Sequence, residues 1–354
     1  MFGDETMLLS GAFGAVISRF DPNVYVSLAL LFGVAAQFRS MGGYGLFRYV
    51  LSRLSMSLGV VYAVALVSAV LSPFILNDVV ILILTPVLAR FCSEHSLDPA
   101  PLLVAEITFT NIASSLTPFG NPQNILLWLE SGLAPSKFVQ LTWMPLAASS
   151  VIALVMLYPV RRVAGSLVES LTPKVDWKPV AYLTFVSLTI FVSTPLGISD
   201  SIALAVAFVG GFVFNAHRLV SVAVEFDLKS MLILYVFVAA VTAGGLILSG
   251  FLHPFVTKAA AGTQPYSALF VLGVSNLIGN VPATQLLLTV GTVPHLIAPK
   301  IAVEAGLAGN IDPVGSFANL LALSIARSEK LRIKRAILLQ VIVGLVTYIP
   351  AVFV

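Results

Sequence analysis

Long apolar runs follow one another along this chain, and four of them are broken from within by short clusters of Gly, Pro, Asn and Ser. The first two breaks are Ser72-Pro73-Phe74-Ile75-Leu76-Asn77-Asp78 and Thr117-Pro118-Phe119-Gly120-Asn121-Pro122-Gln123-Asn124. The second two are Ser275-Asn276-Leu277-Ile278-Gly279-Asn280-Val281-Pro282 and Asp312-Pro313-Val314-Gly315-Ser316-Phe317-Ala318-Asn319. Asn77 and Asn280 stand 203 residues apart, and Gly120 and Gly315 stand 195 apart, so one unit occurs twice in the same order. A hydrocarbon core offers no water to free backbone groups. Non-helical chain at that depth persists only where it lines a cavity or is covered by protein.

The hydrophobic pattern predicts a first half, residues 1–160, and a second half, residues 179–354, joined by a polar cytoplasmic linker at 161–178. In the first half, residues 7–18 are too short to span and read as a tilted or interfacial element. Residues 22–38 read as a span, and 44–53 as an amphipathic helix along the interface. A re-entrant hairpin is expected over about 56–90, with arms 56–71 and 79–88. A broken helix follows over about 101–130, and a full span at 138–158. The second half opens with two extra spans, 180–194 and 202–214, and then repeats the order. A span at 231–248 leads to an interfacial stretch at 251–261, a hairpin at 266–290, a broken helix at about 301–326 and a last span at 336–353.

Composition agrees with this drawing. Of 354 residues 58% are hydrophobic and only 10% charged, with a mean hydropathy of +1.00, far from the balance of a soluble domain. The expected class is an all-α polytopic protein of the plasma membrane, embedded in the lipid bilayer. Cys92 is the one cysteine, which excludes an intramolecular disulfide and a cysteine metal cage; no cofactor or tightly held metal is expected. Basic residues flank apolar segments singly, so nucleic acid is not an expected partner. Asp4 and Glu5 precede the first apolar stretch, so no cleavable signal peptide is expected. If both hairpins return to the side they enter from, fifteen of the 19 Lys and Arg fall on the cytoplasmic side. The two hairpin mouths then face opposite sides, and the repeats are inverted.

Each break in a helix exposes unpaired N–H groups carrying partial positive charge at the new N-terminus, and unpaired carbonyls at the new C-terminus. The first attract oxyanions and the second cations. Asparagine amides both donate and accept, and prolines stop helices. The candidate binding residues are Asn77, Asp78, Thr117, Gly120, Asn121, Asn124, Ser275, Asn280, Asp312, Gly315, Ser316 and Asn319. Asp78 either ligates a cation or proton or caps the helix that follows it. Asp312 has the same two readings. Glu106 is either a proton carrier or a neutral acid bonded to a neighbouring helix. No Lys or Arg falls near the breaks, so a bound anion rests on helix termini, amides and co-bound cations.

The stretches LNDVVILILTPV (76–87), LTPFGNPQNILLW (116–128), VSNLIGNVPATQLLL (274–288) and DPVGSFANLLALSIAR (312–327) resemble the repeat signatures of the ion transporter superfamily. That superfamily holds arsenite permeases, citrate transporter-like proteins, sodium/dicarboxylate symporters and some sodium/proton antiporters. The resemblance runs from about Asp21 to the C-terminus. It implies an inverted-repeat fold in which a substrate-carrying domain moves like an elevator against a scaffold, with dimers occurring in the family. It also implies hairpin-tip roles for Asn77 and Asn280, with sodium near them, and helix-break roles for Gly120, Asn121, Asn124, Gly315, Ser316 and Asn319. The sodium/dicarboxylate branch has Ser-Asn-Thr at both tips. This chain has Leu76-Asn77-Asp78 and Gly279-Asn280-Val281.

The expected function is therefore secondary active transport of a small anion or oxyanion, arsenite- or antimonite-like or a carboxylate, coupled to Na+ or H+. Sodium/proton antiport is the alternative within the superfamily. An intramembrane aspartyl-type enzyme is the alternative of another class, but no Gly-x-Gly-Asp surrounds Asp78 or Asp312, so no enzyme activity is expected.

Overall fold

A computed structural model describes residues 22–354 apart from 75, 163–175, 194, 195, 197, 216–218 and 227. The expected element at 7–18 and most of the linker at 161–178 lie outside the described residues. All regular structure among the described residues is helical. The first set comprises α1 (Pro22–Ser40), α2 (Gly43–Leu58), α3 (Val60–Leu71), α4 (Asn77–His95), α5 (Ala100–Ser114), α6 (Pro122–Ser131) and α7 (Pro135–Leu157). Helices α8 (Lys178–Ser193), α9 (Asp200–Phe214) and α10 (Leu219–Glu225) intervene. The second set is α11 (Leu228–Ile247), α12 (Ser249–Ala260), α13 (Tyr266–Ile278), α14 (Asn280–Val290), α15 (Ala298–Ala308), α16 (Phe317–Ser328) and α17 (Lys334–Tyr348). The order is the same in both sets: long helix, amphipathic helix, helix pair around a tip, helix pair around a break, long helix.

Burial follows the sequence pattern. Helices α5 and α15 have almost no polar face, and every residue but Ala113 in one and Lys300 in the other is buried. They form the centre: α5 packs on α3 and α17, and α15 on α13, α6 and α7. Helices α7 and α17 are the long apolar ones. With their 3-10 extensions they cover Pro135–Val160 and Lys334–Phe353, 26 and 20 residues. At about 1.5 Å per residue either is long enough to cross a membrane. Each leaves large apolar side chains outward, Met144, Val151 and Val155 on one, Leu338, Ile342 and Leu345 on the other. Helix α1 is anchored at its polar end, where Arg39 is ion-paired with Glu225 of α10 at 3.4 Å.

Three boundaries differ from expectation. The first interfacial helix runs on to Leu58, and the next begins only after Gly59, where the chain turns beneath the Arg161 carbonyl; the Val61 N–H donates to that oxygen at 3.3 Å. Helix α4 is 19 residues long, well beyond the arm expected at 79–88. Its last turns carry Arg90, Ser93 and Glu94 and end at Ser96 in the left-handed region, so polar side chains did not end the helix. Helix α10 was not anticipated; it is short and sits in a connection.

Candidate functional site

The two breaks are built alike. After α5 stops at Ser114 the chain doubles back on it: a Cβ on Gly120 would stand 2.1 Å from the Ser114 carbonyl oxygen, so only glycine permits the approach. Pro122 then opens α6, where its missing N–H costs nothing. The carbonyls orphaned at the end of α5 are capped from the new helix, since Asn124 Nδ2 donates to Ser114 O at 3.1 Å and Thr117 O at 2.7 Å. In the second break Asn319 Nδ2 donates to Gly309 O and, at 2.8 Å, to Asp312 O. Each acceptor lies 195 residues beyond its counterpart.

The two tips are also built alike. The Asn77 N–H donates to Gly120 O at 2.9 Å, and the Asn280 N–H to Gly315 O at 3.0 Å, so each tip is stitched backbone to backbone onto its own break. The Asn77 side-chain Oδ1 accepts from the Asp78 N–H, and that of Asn280 from the Val281 N–H, both at 2.9 Å. In consequence the N-termini of α4 and α6 lie together, as do those of α14 and α16, with their partial positive charges gathered in pairs.

One residue joins the first tip to the second break, and it was not among the sequence candidates. Asn111, fully buried in α5, accepts at Oδ1 from Asn77 Nδ2 at 3.2 Å and from Ser316 Oγ at 3.3 Å. Its Nδ2 donates to Asn319 Oδ1 at 2.9 Å and, more weakly, to Gly309 O at 3.4 Å. The signal available in sequence was the arm's one side-chain amide, one turn before the helix end, on a helix that also carries Glu106, Thr108, Thr110 and Ser114.

Candidates Asn77, Asn319 and Ser316 thus meet on Asn111, with Gly120 and Gly315 supplying carbonyls to the tips. Asn280 lies beside them, its Nδ2 about 3.3 Å from where a Cβ on Gly309 would stand. Asn121 starts α6 and donates to Ser114 Oγ. Asp78 and Ser275 are buried, and among the described residues Ser275 Oγ has no hydrogen-bond partner. Two candidates have local duties. Thr117 Oγ1 donates to the Pro73 carbonyl, tying break to tip. Asp312 Oδ1 accepts from the N–H groups of Val314 and Gly315 at 2.8 and 2.7 Å, which folds the turn ahead of α16, a helix whose N-cap position is Ser316.

Around this centre several buried polar atoms lack partners among the described residues: Asn121 Oδ1, Asn124 Oδ1, Ser275 Oγ, Asn280 Nδ2 and Thr284 Oγ1. Native interiors pair nearly all such groups, and each exception asks for an occupant or a function. Two buried carboxylates flank the site. Glu106 accepts from Thr85 Oγ1 of α4 at 2.7 Å, the neighbouring-helix bond of its second reading. Glu304, absent from the sequence candidates, accepts from Gln264 Nε2 at 2.6 Å and Ser267 Oγ at 2.7 Å. A separate cavity of about 880 Å³ touches Thr117 and Pro118 and is walled mainly by apolar groups such as Leu66, Val70, Phe74, Trp177 and Leu188. Its chemistry is that of a lipid-like crevice, distinct from the amide centre.

The comparisons with known proteins agree on one class. Inner membrane protein YbiR of Escherichia coli is 32% identical over 274 residues, covering 75% of this chain and 69% of its own. An uncharacterized transporter of Mycobacterium tuberculosis is 26% identical over 307 residues, covering 76% and 70%. The silicon efflux transporter LSI3 of rice is 33% identical over 132 residues, covering 35% of this chain and 27% of its own. The citrate transporter family's sequence pattern matches residues 6–305, which takes in three of the four breaks and most of the α15 arm of the last. On that match the chain belongs to the citrate transporter family, and it is a membrane transporter and not an enzyme.

Proposed function

We propose that this protein is a multi-pass secondary active transporter of the plasma membrane that moves a small oxyanion or its protonated acid, with an ion gradient as driving force. The observation that carries the reading is the meeting of the first tip and the second break at Asn111, inside an apolar molecule, with each tip stitched to its own break and buried donors and acceptors left over. Paired helix N-termini supply partial positive charge for an oxyanion without a Lys or Arg. The name of the rice relative, a silicon efflux transporter, supports an oxyacid over a tricarboxylate. Buried Asp78 and Glu106 are the groups for a coupling proton or sodium.

In this reading the two helix sets lie in the membrane with inverted orientation and their tips re-enter from opposite sides. Each tip is fastened to its own break, so it travels with the site. Such coupling favours carriage of the whole site across the membrane over the opening of one tip. Proteoliposome uptake of a panel of labelled anions and oxyacids, with and without sodium and proton gradients, tests the proposal. Accumulation of at least one solute under one gradient is expected, and Asn77→Ala or Asn280→Ala should abolish it. No gradient-driven uptake of any member would overturn the coupling, and unimpaired uptake by both variants would overturn the site.

A further inference from the structure

The apolar crevice of about 880 Å³ lies between two parts of the fold. One wall is α8, which packs on α9 and α1 and presents Val180, Leu183 and Leu188. The facing wall is α3 with Leu66 and Val70, and the space between them reaches Phe74 of the first tip and Phe119 of the first break. Val70, Phe74 and Leu188 each keep 56% of their surface uncovered. Two hydroxyls on the walls are already engaged: Thr117 Oγ1 donates to the Pro73 carbonyl, and Thr184 Oγ1 to the Val180 carbonyl at 3.0 Å. A polar solute finds little to bond there, whereas a hydrocarbon chain needs contact alone.

The length of the crevice fits such a chain. Along α8 its lining runs from Trp177 to Leu188, which is about 17 Å at the helical rise per residue. One leaflet of hydrocarbon is half of a core about 30 Å thick.

One end of the crevice is basic. Trp177 stands at the start of α8, near the polar end of α1, since a Cβ on Gly211 would meet Tyr182 of α8 at 3.0 Å and Gln37 of α1 at 2.8 Å. Helix α2 begins at that same end of α1 and sends Val50 and Leu54 into the crevice, with Arg53 between them. Arg161 and Arg162 lie where α2 passes into α3, Arg162 Cγ being 3.0 Å from where a Cβ on Gly59 would stand. Lys178 follows Trp177 directly. Arg53 and Arg161 rest on the rings of Tyr49 and Tyr158, and among the described residues none of these four cations is in an ion pair. The acid beside them, Asp176, accepts at Oδ1 from the Lys178 backbone N–H. Four cations against one acid leave this end positive.

We propose that the crevice is a binding site for an anionic phospholipid. An acyl chain lies between α8 and α3 and supports the first tip at Phe74, and the phosphate sits among Arg53, Arg162 and Lys178. Basic side chains at a membrane surface attract anionic headgroups, whereas a zwitterionic lipid brings the same chains without the net charge. The site is separate from the amide centre and takes a resident of the membrane, not the transported solute.

The test places the full chain in phosphatidylcholine vesicles doped with phosphatidylglycerol whose acyl chain carries a photoactivated diazirine. Equally labelled phosphatidylcholine serves as the comparison. Peptide mapping should find the phosphatidylglycerol label enriched on residues 66–74 and 183–188 over the outward face of α7 at Val151 and Val155. The phosphatidylcholine label should show no such enrichment. Arg162→Gln combined with Lys178→Gln should cut the enrichment about fivefold or more. Val70→Phe, which fills the space from one wall, should strip the label from 183–188 and leave that on α7 unchanged. Should Val70→Phe fail to fold, Leu188→Phe narrows the same space from the other wall. Even labelling of crevice and α7 by both probes overturns the site, and equal enrichment of both probes overturns the anionic headgroup. A crevice shielded from both probes holds protein, such as a second copy of this chain, and overturns the proposal as well.

Discussion

Asn111 is the residue on which the two halves of the molecule depend most directly. It makes two hydrogen bonds to the first tip and the second helix start through one oxygen, and two to the second break through one nitrogen. Asn111→Leu keeps the volume and deletes all four, leaving the Asn77 amide N–H and the Asn319 oxygen buried without partners. Interhelical hydrogen bonds in membrane proteins contribute roughly 0.6 kcal/mol each, with the strongest near 1.7. The variant should therefore lose about 1–3 kcal/mol, read as a lower melting temperature in detergent, and lose uptake altogether. Thr85→Val gives a second residue-scale expectation. It strips Glu106 of its one hydrogen-bond donor among the described residues and leaves a buried carboxyl group unpaired. If Glu106 handles the coupling proton, the pH at which uptake is half-maximal should move in Thr85→Val while the solute affinity stays put. If Glu106 is a structural acid, only the melting temperature should fall.

At the scale of the element, the breaks are defined by close approach as much as by the absence of hydrogen bonds. Gly120→Ala places a methyl group 2.1 Å from a backbone oxygen that cannot withdraw, because Asn124 pins the same carbonyl. The first break should fail to close, so the variant is expected to lose uptake and expose the break to proteolysis, whereas Gly45→Ala, where a Cβ meets nothing within 4 Å, should behave as the parent. The second tip turns on a single residue, Gly279 with φ of +89°, and an Ala there should weaken solute binding through backbone strain. Much of this was legible beforehand. Proline marks all four interruptions and glycine three of them, and the helix end at Val290 fell where the hairpin was expected to end. The overlong α4 was not legible, since its polar last turns read as a connection while the chain continued to gain helical hydrogen bonds. Nor was the role of Asn111 or Glu304: Asn111 gains its partners only where α5 meets the second set, and Glu304 only where α15 packs against the start of α13.

On the scale of the whole molecule, the buried pair α5 and α15 and the outward faces of α7 and α17 fit a protein whose solvent is lipid. The charge bias read from sequence then makes a topological expectation. Single cysteines at Arg332 and Lys258, in a variant with Cys92→Ala, should react with a membrane-impermeant maleimide from opposite sides of right-side-out vesicles. Cys92 itself is 1% exposed and should stay unlabelled in the parent, which makes it a convenient internal blank. Labelling of both engineered cysteines from one side would refute the inverted arrangement.

The stitch from each tip to its own break runs between main-chain atoms, Asn77 N–H to Gly120 O and Asn280 N–H to Gly315 O. That stitch does not depend on which side chains stand beside the tips. Substitution next to a tip can rewrite what the protein selects while the enclosure survives, and Asp78 in one half against Val281 in the other is a difference of that kind already present. A duplicated scaffold of this sort is free to diverge in cargo long before it diverges in shape.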